Sequence, residues 1–337
     1  MRILYDPYPR TTSEIFSDEM HHRFIRTYKV LAVRPENRDA DYDTYLPQAD
    51  VIISQQPMGR DRLVRATGLK AIFNVETNFL PNIDYAYCFE RGIHVLAPSA
   101  VFAEPVAEMG LGLALSLARD IHTAHADFRA GQEQYGLAGN MHARLLAGAD
   151  MGFIGYGDLG RALHRLLGPF RPRLRVFDPW IPDNMLRRFD LEPATLDHVL
   201  ETSQCLFVLA SVTSENQLLL NAERLALMPD GSSLILLSRA ALADFDALAR
   251  EADSGRLRIA TDVFPQEPVP QGDPIRTTRG MLFSAHRAGA LTSALEEIGS
   301  RVLDDLELIN KGLPPLSCRR AERETVGRMR SRPIART

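Results

Sequence analysis

Short apolar runs alternate with amphipathic or polar stretches along most of this chain, and the alternation predicts its fold. The first series of runs covers residues 2–5, 29–33, 51–54, 69–73 and 94–96. The second series covers residues 150–154, 174–177, 205–209, 233–237, 258–260 and 281–283. Runs of this kind, separated by helical stretches, are typical of parallel strands joined by crossover helices. We therefore predict an α/β chain with two doubly wound, Rossmann-like parallel sheets.

Two longer amphipathic segments predict helices beside these sheets. Residues 104–128 are expected to form one helix that passes between two domains. Residues 291–311 are expected to form another, which ends before Gly312 and Pro314 and returns to cover the first sheet. This pattern predicts a discontinuous first domain, residues 1–103 with 291–337, around a second domain, residues 104–290.

The most informative motif is Gly155-Tyr156-Gly157-Asp158-Leu159-Gly160, which lies between a predicted strand and a predicted helix at 161–167. Gly155 permits a tight turn, and Gly157 allows the backbone to approach a pyrophosphate. Gly160 allows the helix to pack closely on the strand. The motif therefore predicts a dinucleotide site that includes Asp158 and Leu159, with the phosphates at the helix N-terminus.

An acidic residue indicates which dinucleotide binds. Asp178 ends the next predicted strand, 18 positions after Gly160, close to the spacing at which a carboxylate binds the ribose diol. A carboxylate there repels the extra phosphate of NADP, so we predict NAD. The alternative is a glycine loop that only turns the chain. Asp158 should weaken pyrophosphate binding unless its side chain points outward.

Composition narrows the possible classes. The net charge of −4 argues against general binding of nucleic acid. Cys88, Cys205 and Cys318 are widely spaced, so they are interpreted as reduced thiols in a cytoplasmic protein. The N-terminus turns polar at once, which argues against a signal peptide. The most apolar stretch, 101–118, contains two Glu and one Pro, which favours a buried helix over a membrane span. Neither a membrane partner nor a bound metal is expected.

Three side chains supply the chemistry that the cofactor needs. Arg239 directly follows one predicted strand, His286 follows another after two residues, and Glu267 lies in the loop between them. Ligands of open α/β sheets bind beyond the carboxyl ends of strands, so we expect these side chains to converge. Each taken singly is more often a surface charge, a turn residue or a structural histidine. Together they suffice to polarise a carbonyl and move a proton.

The combined motifs resemble the D-isomer-specific 2-hydroxyacid dehydrogenases over roughly residues 69–316. The glycine loop with Asp178-Pro179, the run SRAALADFDAL from Ser238, DVFPQEP from Asp262 and AHRAG from Ala285 carry most of the resemblance. It implies hydride exchange between NAD(H) and C2 of a D-2-hydroxy or 2-oxo acid, with a phosphoglycerate or glyoxylate/hydroxypyruvate type of substrate.

The resemblance also implies a role for each residue. Arg239 would hold the substrate carboxylate and polarise the carbonyl, His286 would exchange the proton, and Glu267 would orient the imidazole and favour its charged form. Three further residues, Ser238, Asp262 and Gly289, would lie on the cofactor side. Family members usually dimerise through the region around 104–148, so a homodimer is expected.

The substrate loop departs from the family. Many members have a glycine-rich stretch whose amides bind the substrate carboxylate, whereas this chain has Val75, Glu76 and Thr77 there. A carboxylate should repel a small 2-oxo acid. Either Glu76 points away or it meets a substrate that carries an amine or several hydroxyls.

Two other functions stay open. The chain could be an NAD(H)-sensing interaction protein with little turnover, for which the altered loop counts. It could also be a formate or phosphite type of dehydrogenase. The formate type has Gln in the place of Glu267, which argues against it, whereas the phosphite type keeps all three residues. The basic tail 319–337, with seven Arg and two Glu, is interpreted as a solvated extension.

Overall fold

The apolar runs of the sequence form two separate sheets in a computed structural model that describes residues 1–76 and 78–330. The chain divides into two compact units. The first unit is Met1–Phe102 with the described residues from Ala290 onward, and the second is Ala103–Gly289. Each boundary lies one residue from its predicted position. The predicted α/β class, with two doubly wound sheets, is confirmed.

The elements are numbered in chain order. The strands are β1 Arg2–Asp6, β2 Lys29–Ala32, β3 Val51–Ser54, β4 Ala71–Phe73, β5 His94–Ala97, β6 Asp150–Ile154, β7 Arg173–Phe177, β8 Glu192–Pro193, β9 Cys205–Val208, β10 Ser233–Leu236, β11 Arg258–Thr261, β12 Met281–Phe283 and β13 Arg319–Arg320. The helices are α1 Thr12–Ile15, α2 Asp18–Thr27, α3 Arg38–Tyr45, α4 Arg60–Leu63, α5 Tyr85–Arg91, α6 Ala103–Arg119, α7 Ile121–Ala130, α8 Asp158–Leu167, α9 Asp183–Arg187, α10 Leu196–Thr202, α11 Ala222–Leu225, α12 Phe245–Asp253, α13 Thr292–Asn310 and α14 Arg323–Val326.

The sheet of the first unit has the order β13-β5-β4-β3-β1-β2. Strands β1 to β5 are parallel, and β13 pairs antiparallel with β5 at one edge. All four residues of β3 are buried, as expected for a strand covered on both faces. The direction of the winding changes between β1 and β3, which opens a crevice at the carboxyl ends of these two strands.

Helix α13 returns to this sheet, as predicted. Its apolar side chains Ile298, Val302 and Leu306 are buried in one cluster with Ile3 and Tyr5 of β1. At Gly299 the helix lies so close to the Ile15 carbonyl that a Cβ would overlap it. The close approach explains why the smallest residue occupies that position.

The prediction that residues 319–337 form a solvated extension is wrong for the described part of that segment. Residues 319–320 form β13, and Val326 of α14 is buried. Asp305 of α13 is fully buried and accepts hydrogen bonds from the backbone N–H groups of Leu316, Ser317 and Cys318 at 2.7–2.8 Å. A single carboxylate thus fixes the turn that leads the chain onto the sheet edge. Residues 331–337 lie outside the described part of the chain.

The sheet of the second unit has the order β12-β11-β10-β9-β6-β7-β8 and is parallel throughout. Its winding changes direction at β6, because β7 and β9 flank that strand on opposite sides. The glycine loop follows β6, so it lies at the switch point where open α/β sheets bind ligands.

The predicted single helix 104–128 is two helices. Asp120 has a left-handed backbone with φ of 51°, which ends α6 and begins α7 in a new direction. By length and composition, Ser99–Arg119 could cross a membrane. Its core part, α6, buries Ala114, Leu117 and Ala118 within the second unit, as an internal helix of a folded domain does.

A stability prediction follows from Asp305. Replacing Asp305 by Ala removes the acceptor of three backbone N–H groups, of which that of Cys318 is buried, so we expect the free energy of unfolding to fall by about 2–4 kcal/mol. Urea unfolding followed by circular dichroism measures the loss. Asp304→Ala is the matched control, because Asp304 is exposed on the same helix. Equal stability of the two variants would contradict the proposed role of the carboxylate.

Candidate active site

The glycine loop has the backbone geometry that a close turn requires. Gly155 has φ of 93°, and a Cβ there would lie 2.7 Å from the backbone of Ala210, which follows β9. Gly160 packs against the loop, since its Cβ would lie 3.0 Å from the Gly155 carbonyl oxygen. A side chain at Gly155 would overlap the segment after β9, and one at Gly160 would press α8 against the glycine loop.

Gly157 differs from these two glycines because the space beside it is open. A Cβ at Gly157 would meet no atom within 4 Å, which leaves room for a ligand to approach the backbone. Gly157 caps α8, whose first N–H groups have no partner within the helix. Asp158 is exposed at the first position of α8, and Leu159 packs partly into the core.

Asp178 joins the end of β7 to the glycine loop. Its Oδ2 accepts a hydrogen bond from Tyr156 N at 2.8 Å, and its Oδ1 accepts one from Trp180 N at 2.9 Å. A carboxylate has about four lone-pair positions, so acceptor capacity remains for a ribose diol. The loop, the open space at Gly157 and the placed carboxylate together fit an NAD molecule.

One contact between the glycine loop and α8 was not predicted from the sequence. The Tyr156 ring is buried, and its hydroxyl lies 2.9 Å from Nδ1 of His164 on α8. Burial lowers the pKa of His164, which favours the neutral ring. The pair ties the second residue of the motif to the helix that follows it.

The three predicted catalytic residues lie beyond one edge of the sheet. Leu236 of β10, Thr261 of β11 and Phe283 of β12 are in register. Arg239 and His286 each follow three residues after the end of their strand. Neighbouring strands are about 4.8 Å apart, so the loops that carry these residues lie side by side.

Glu267 and His286 form a direct pair. Glu267 Oε2 lies 2.6 Å from His286 Nδ1, and both side chains are about one quarter exposed. The other carboxylate oxygen of Glu267 accepts a hydrogen bond from Phe264 N at 2.8 Å. Both carboxylate oxygens of Glu267 are therefore held. The ring nitrogen of His286 that Glu267 does not contact is Nε2.

The backbone of His286 is left-handed, with φ of 49°, and Asp262 holds it there. Asp262 is 1% exposed, and its two carboxylate oxygens accept N–H groups of Arg287 and Ala288, each at 3.0 Å. The carbonyl of Asp262 accepts His286 N at 2.7 Å. These contacts give Asp262 a positioning role for the histidine loop, alongside the cofactor role that the resemblance implies.

Arg239 begins the loop after β10. Its Nη1 donates to the carbonyl oxygen of Ser238 at 2.6 Å, and its side chain is partly buried. The Ser238 hydroxyl donates to the Val208 carbonyl oxygen at 3.1 Å and so ties this loop to β9. Gly289 is partly buried and directly follows the segment that Asp262 holds.

Apart from Arg239, the predicted substrate residues fall in the first unit. Val75 and Glu76 are buried after β4, and Thr77 lies outside the described residues. Glu76 Oε1 lies 3.0 Å from Arg10 Nε, and Glu76 N donates to Gln55 Oε1 at 2.9 Å. The carboxylate thus has a cationic partner within its own unit, which sequence spacing did not predict.

A cavity of about 440 Å³ lies elsewhere in the second unit. Gly231, Leu257 and Gly280, which line it, precede β10, β11 and β12. The cavity is therefore at the amino edge of the sheet, opposite the edge that carries Arg239 and His286. Within the described part of the chain, no group of three or more His, Cys, Asp or Glu is arranged to hold a metal ion.

Comparison with known proteins identifies the family. Residues 111–288 match the model of the D-isomer specific 2-hydroxyacid dehydrogenase, NAD binding domain. The chain belongs to this family. It is an NAD-dependent oxidoreductase, as predicted.

Individual relatives agree with this assignment. The chain is 30% identical to a glyoxylate reductase of Thermofilum pendens over 264 residues, which cover 74% of this chain and 75% of that protein. It is 30% identical to a hydroxypyruvate reductase of Thermotoga maritima over 269 residues, which cover 77% of this chain and 85% of that protein. The crystal structure of a phosphoglycerate oxidoreductase from Rhizobium etli has 48% identity and a TM-score of 0.87, and the match covers 96% of this chain and 99% of that one.

Cofactor preference in this dehydrogenase is tested at Asp178. Asp178→Asn removes the charge but keeps an acceptor for Tyr156 N. We expect the ratio of kcat/KM for NADPH to that for NADH to rise at least about tenfold, because one like-charge contact of about 1.4 kcal/mol is lost. Steady-state kinetics with both cofactors measure the ratio. Asp183→Asn, at an exposed carboxylate on α9, should leave it unchanged. The same ratio in both variants would rule out ribose binding by Asp178.

The Glu267–His286 pair is tested by Glu267→Gln, which keeps an oxygen to accept Phe264 N. We expect kcat for reduction at pH 7 to fall about 10- to 100-fold, since proton transfer contributes on this scale. NADH affinity, measured by fluorescence titration, should not change. A variant that binds NADH poorly would refute the separation of roles, and exposed Glu223→Gln is the control.

Proposed function

We propose that this dehydrogenase transfers a hydride between NAD(H) and C2 of a D-2-hydroxy or 2-oxo acid, of the glyoxylate/hydroxypyruvate or phosphoglycerate type. The observation that carries the proposal is the 2.6 Å pair of Glu267 and His286 on the sheet edge that also carries Arg239 and the glycine loop. A binding loop for the hydride donor NADH, a cation and a proton donor at one edge would meet the needs of carbonyl reduction.

The cofactor would be held by the glycine loop and its neighbours. Gly155, Gly157 and Gly160 would admit the pyrophosphate to the N-terminus of α8, and Asp178 would accept the ribose hydroxyls. Ser238, Asp262 and Gly289 would lie on the nicotinamide side. When bound, NAD(H) supplies or accepts the hydride, and the protein provides position and charge.

Side chains of this protein would bind the substrate carboxylate and transfer the proton. Arg239 would bind the substrate carboxylate through its planar guanidinium and polarise the C2 carbonyl. Because Glu267 occupies Nδ1, His286 would donate the proton from Nε2 to the carbonyl oxygen during reduction and remove it during oxidation. Glu267 would hold Nδ1 and orient the ring throughout the transfer.

The first unit is proposed to bind the substrate through the loop that contains Val75, Glu76 and Thr77. Arg10 offsets the charge of Glu76, so Glu76 does not act as an isolated anion toward a 2-oxo acid. The names of the relatives support small acids of the glyoxylate, hydroxypyruvate and phosphoglycerate types.

A substrate panel tests the proposal. NADH oxidation is measured with glyoxylate, hydroxypyruvate and phosphohydroxypyruvate, and NAD reduction is measured with formate and phosphite. We expect turnover of at least one 2-oxo acid, and Arg239→Gln should lower its kcat/KM by about 100-fold, the scale of a lost charge-assisted contact. Exposed Arg279→Gln is the control. NADH binding without turnover would favour the sensor function, and phosphite oxidation alone would favour the phosphite enzyme.

We also propose a cytoplasmic homodimer. Ile121, Phe128, Tyr135, Leu137 and Met141 are all more than half exposed along one stretch of the second unit. A second copy would remove this apolar surface from water. Three buried free thiols fit a reducing compartment, and burial raises the pKa of Cys88 and of Cys205 to about 12. Cell fractionation tests the compartment.

Sedimentation equilibrium tests the assembly. We expect a mass of two 37.6 kDa chains for the wild type. Leu137→Asp should shift the equilibrium toward the monomer, because a charge would enter the apolar contact. Leu316→Asp is the control, since Leu316 is equally exposed in the first unit. A monomeric wild type at micromolar concentration would exclude the dimer.

A further inference from the structure

The cavity of about 440 Å³ at the amino edge of the second unit's sheet takes no part in the proposed reaction. Its charged lining residues are Arg144, Arg258 and Asp120, so the lining has a net charge of +1 with its histidines neutral. Substrate and cofactor are proposed to bind at the opposite edge, where Arg239 and the glycine loop lie. The proposed reaction therefore does not explain the positive charge at the amino edge.

Arg258, the first residue of β11, uses only one of its three side-chain nitrogens. Its Nη1 donates to the Leu117 carbonyl oxygen at 2.8 Å and lies 3.1 Å from Asp120 Oδ2. Within residues 1–76 and 78–330, neither Nε nor Nη2 of Arg258 makes a hydrogen bond to the protein. The side chain is 21% exposed. The five N–H donors of a guanidinium thus include several that Arg258 can offer to a ligand.

Arg144 reaches the same cavity from the loop that follows α7. Its guanidinium lies over Gly231, where a Cβ would come within 2.6 Å of Arg144 Nη2. Among the described residues, its side chain makes one hydrogen bond, a long one of 3.4 Å from Nη2 to the Asp230 carbonyl oxygen. Gly231 precedes by two residues Ser233 of β10, which is in register with Arg258. The two guanidinium groups are therefore carried to the starts of neighbouring strands.

The space around these arginines is larger than a free ion requires. A second cavity, of about 410 Å³, is also lined by Arg144 and Arg258, so the two cavities adjoin. Apolar side chains, among them Leu145, Leu146 and Ala149, line much of the second cavity. Small-molecule sites have volumes of about 300–1,000 Å³ and combine an apolar lining with a few polar groups. A metabolite with a charged group and a carbon skeleton fits this description.

We propose that Arg144 and Arg258 bind the phosphate group of a small metabolite at the amino edge, apart from the catalytic residues. A guanidinium matches the geometry of a phosphate. A phosphate group has three strong acceptor oxygens, so it can accept N–H groups from both arginines at once. A carboxylate has only two oxygens, which favours phosphate as the ligand.

Asp120 has a positioning role in this site. Its carboxylate pairs with Nη1 of Arg258 and so leaves Nε and Nη2 for the ligand. This pair accounts for one arginine as a structural ion pair. It does not account for Arg144, whose side chain is exposed and which would gain two or more charge-assisted hydrogen bonds from a phosphate.

Isothermal titration calorimetry tests the site by direct binding, so the result does not depend on turnover or on the proposed function. The probes are inorganic phosphate and glycerol 3-phosphate, and glycerol is the control that lacks the phosphate group. Saturating NADH is present, so that the glycine loop is not open to the probes. The full chain is used in its wild-type assembly, because Met141 both lines the cavity and belongs to the apolar stretch proposed for the dimer contact.

Two matched pairs of variants separate charge from structure. Arg144→Gln removes one cation, and Arg188→Gln is its control at an exposed arginine of the same unit. Thr123→Glu adds an anion to the lining of the cavity, and Thr123→Gln has the same size without the charge. Thr123 is exposed in the first turn of α7, where a helix tolerates Glu. Arg258 is kept, because it also holds the Leu117 carbonyl.

We expect both phosphates to bind the wild type, and the one that binds more tightly identifies a phosphate ester or free phosphate as the ligand. In Arg144→Gln the Kd for that compound should rise at least about tenfold, because a charge-assisted contact is lost. Thr123→Glu should raise the Kd by a similar factor through charge repulsion. Thr123→Gln, Arg188→Gln and Arg239→Gln should bind the compound as the wild type does.

Several results would overturn the proposal. The wild type could bind neither phosphate up to about 10 mM, or Arg144→Gln could bind as tightly as the wild type. Equal losses in Thr123→Glu and Thr123→Gln would show that the size of the side chain matters and its charge does not. Loss of binding in Arg239→Gln would instead assign the phosphate to the catalytic edge.

Discussion

The buried carboxylate of Asp262 makes the contacts on which the sheet edge that carries His286 depends. It receives two backbone N–H groups from the residues that follow His286, and its own carbonyl receives the His286 amide. A left-handed backbone costs a non-glycine residue about 1 kcal/mol or more, and these three hydrogen bonds offset that cost. Without them the imidazole would not stay within 2.6 Å of Glu267. A residue that contacts neither Glu267 nor the ring nitrogens thus positions the loop that carries His286.

The parallel sheet aligns the loops along this edge. Strands β10, β11 and β12 are in register, so each loop begins at the same level. Asp262 follows β11 directly and lies between the loops that carry Arg239 and His286. The glycine loop follows β6 at the switch point of the same sheet. The glycine loop, Arg239 and His286 therefore share one edge because the strands are parallel.

Most of this arrangement is predictable from the sequence, because strands and glycine turns have local signals. The runs at 51–54 and 281–283 are strands with the predicted bounds, and the glycine loop turns where its spacing indicates. The break at Asp120 was not predicted, because a single left-handed residue in an amphipathic segment has no periodic signature. Strand β13 was missed because its residues are arginines, and only Asp305 and the edge of β5 make them a strand. The Arg10–Glu76 pair joins residues 66 positions apart, and no spacing rule connects them.

The return of α13 to the first sheet has a consequence for synthesis on the ribosome. The last strand of that parallel series, β5, is complete at Ala97, but α13 begins only at Thr292. At about 5–20 residues per second, the ribosome adds α13 roughly ten to forty seconds after β5. During that interval Ile3 and Tyr5 lack the helix that covers them, while the second unit, which is continuous in sequence, acquires all its strands. The nascent chain therefore exposes an apolar sheet for much of its synthesis, and the unit that is made first is the last to be completed.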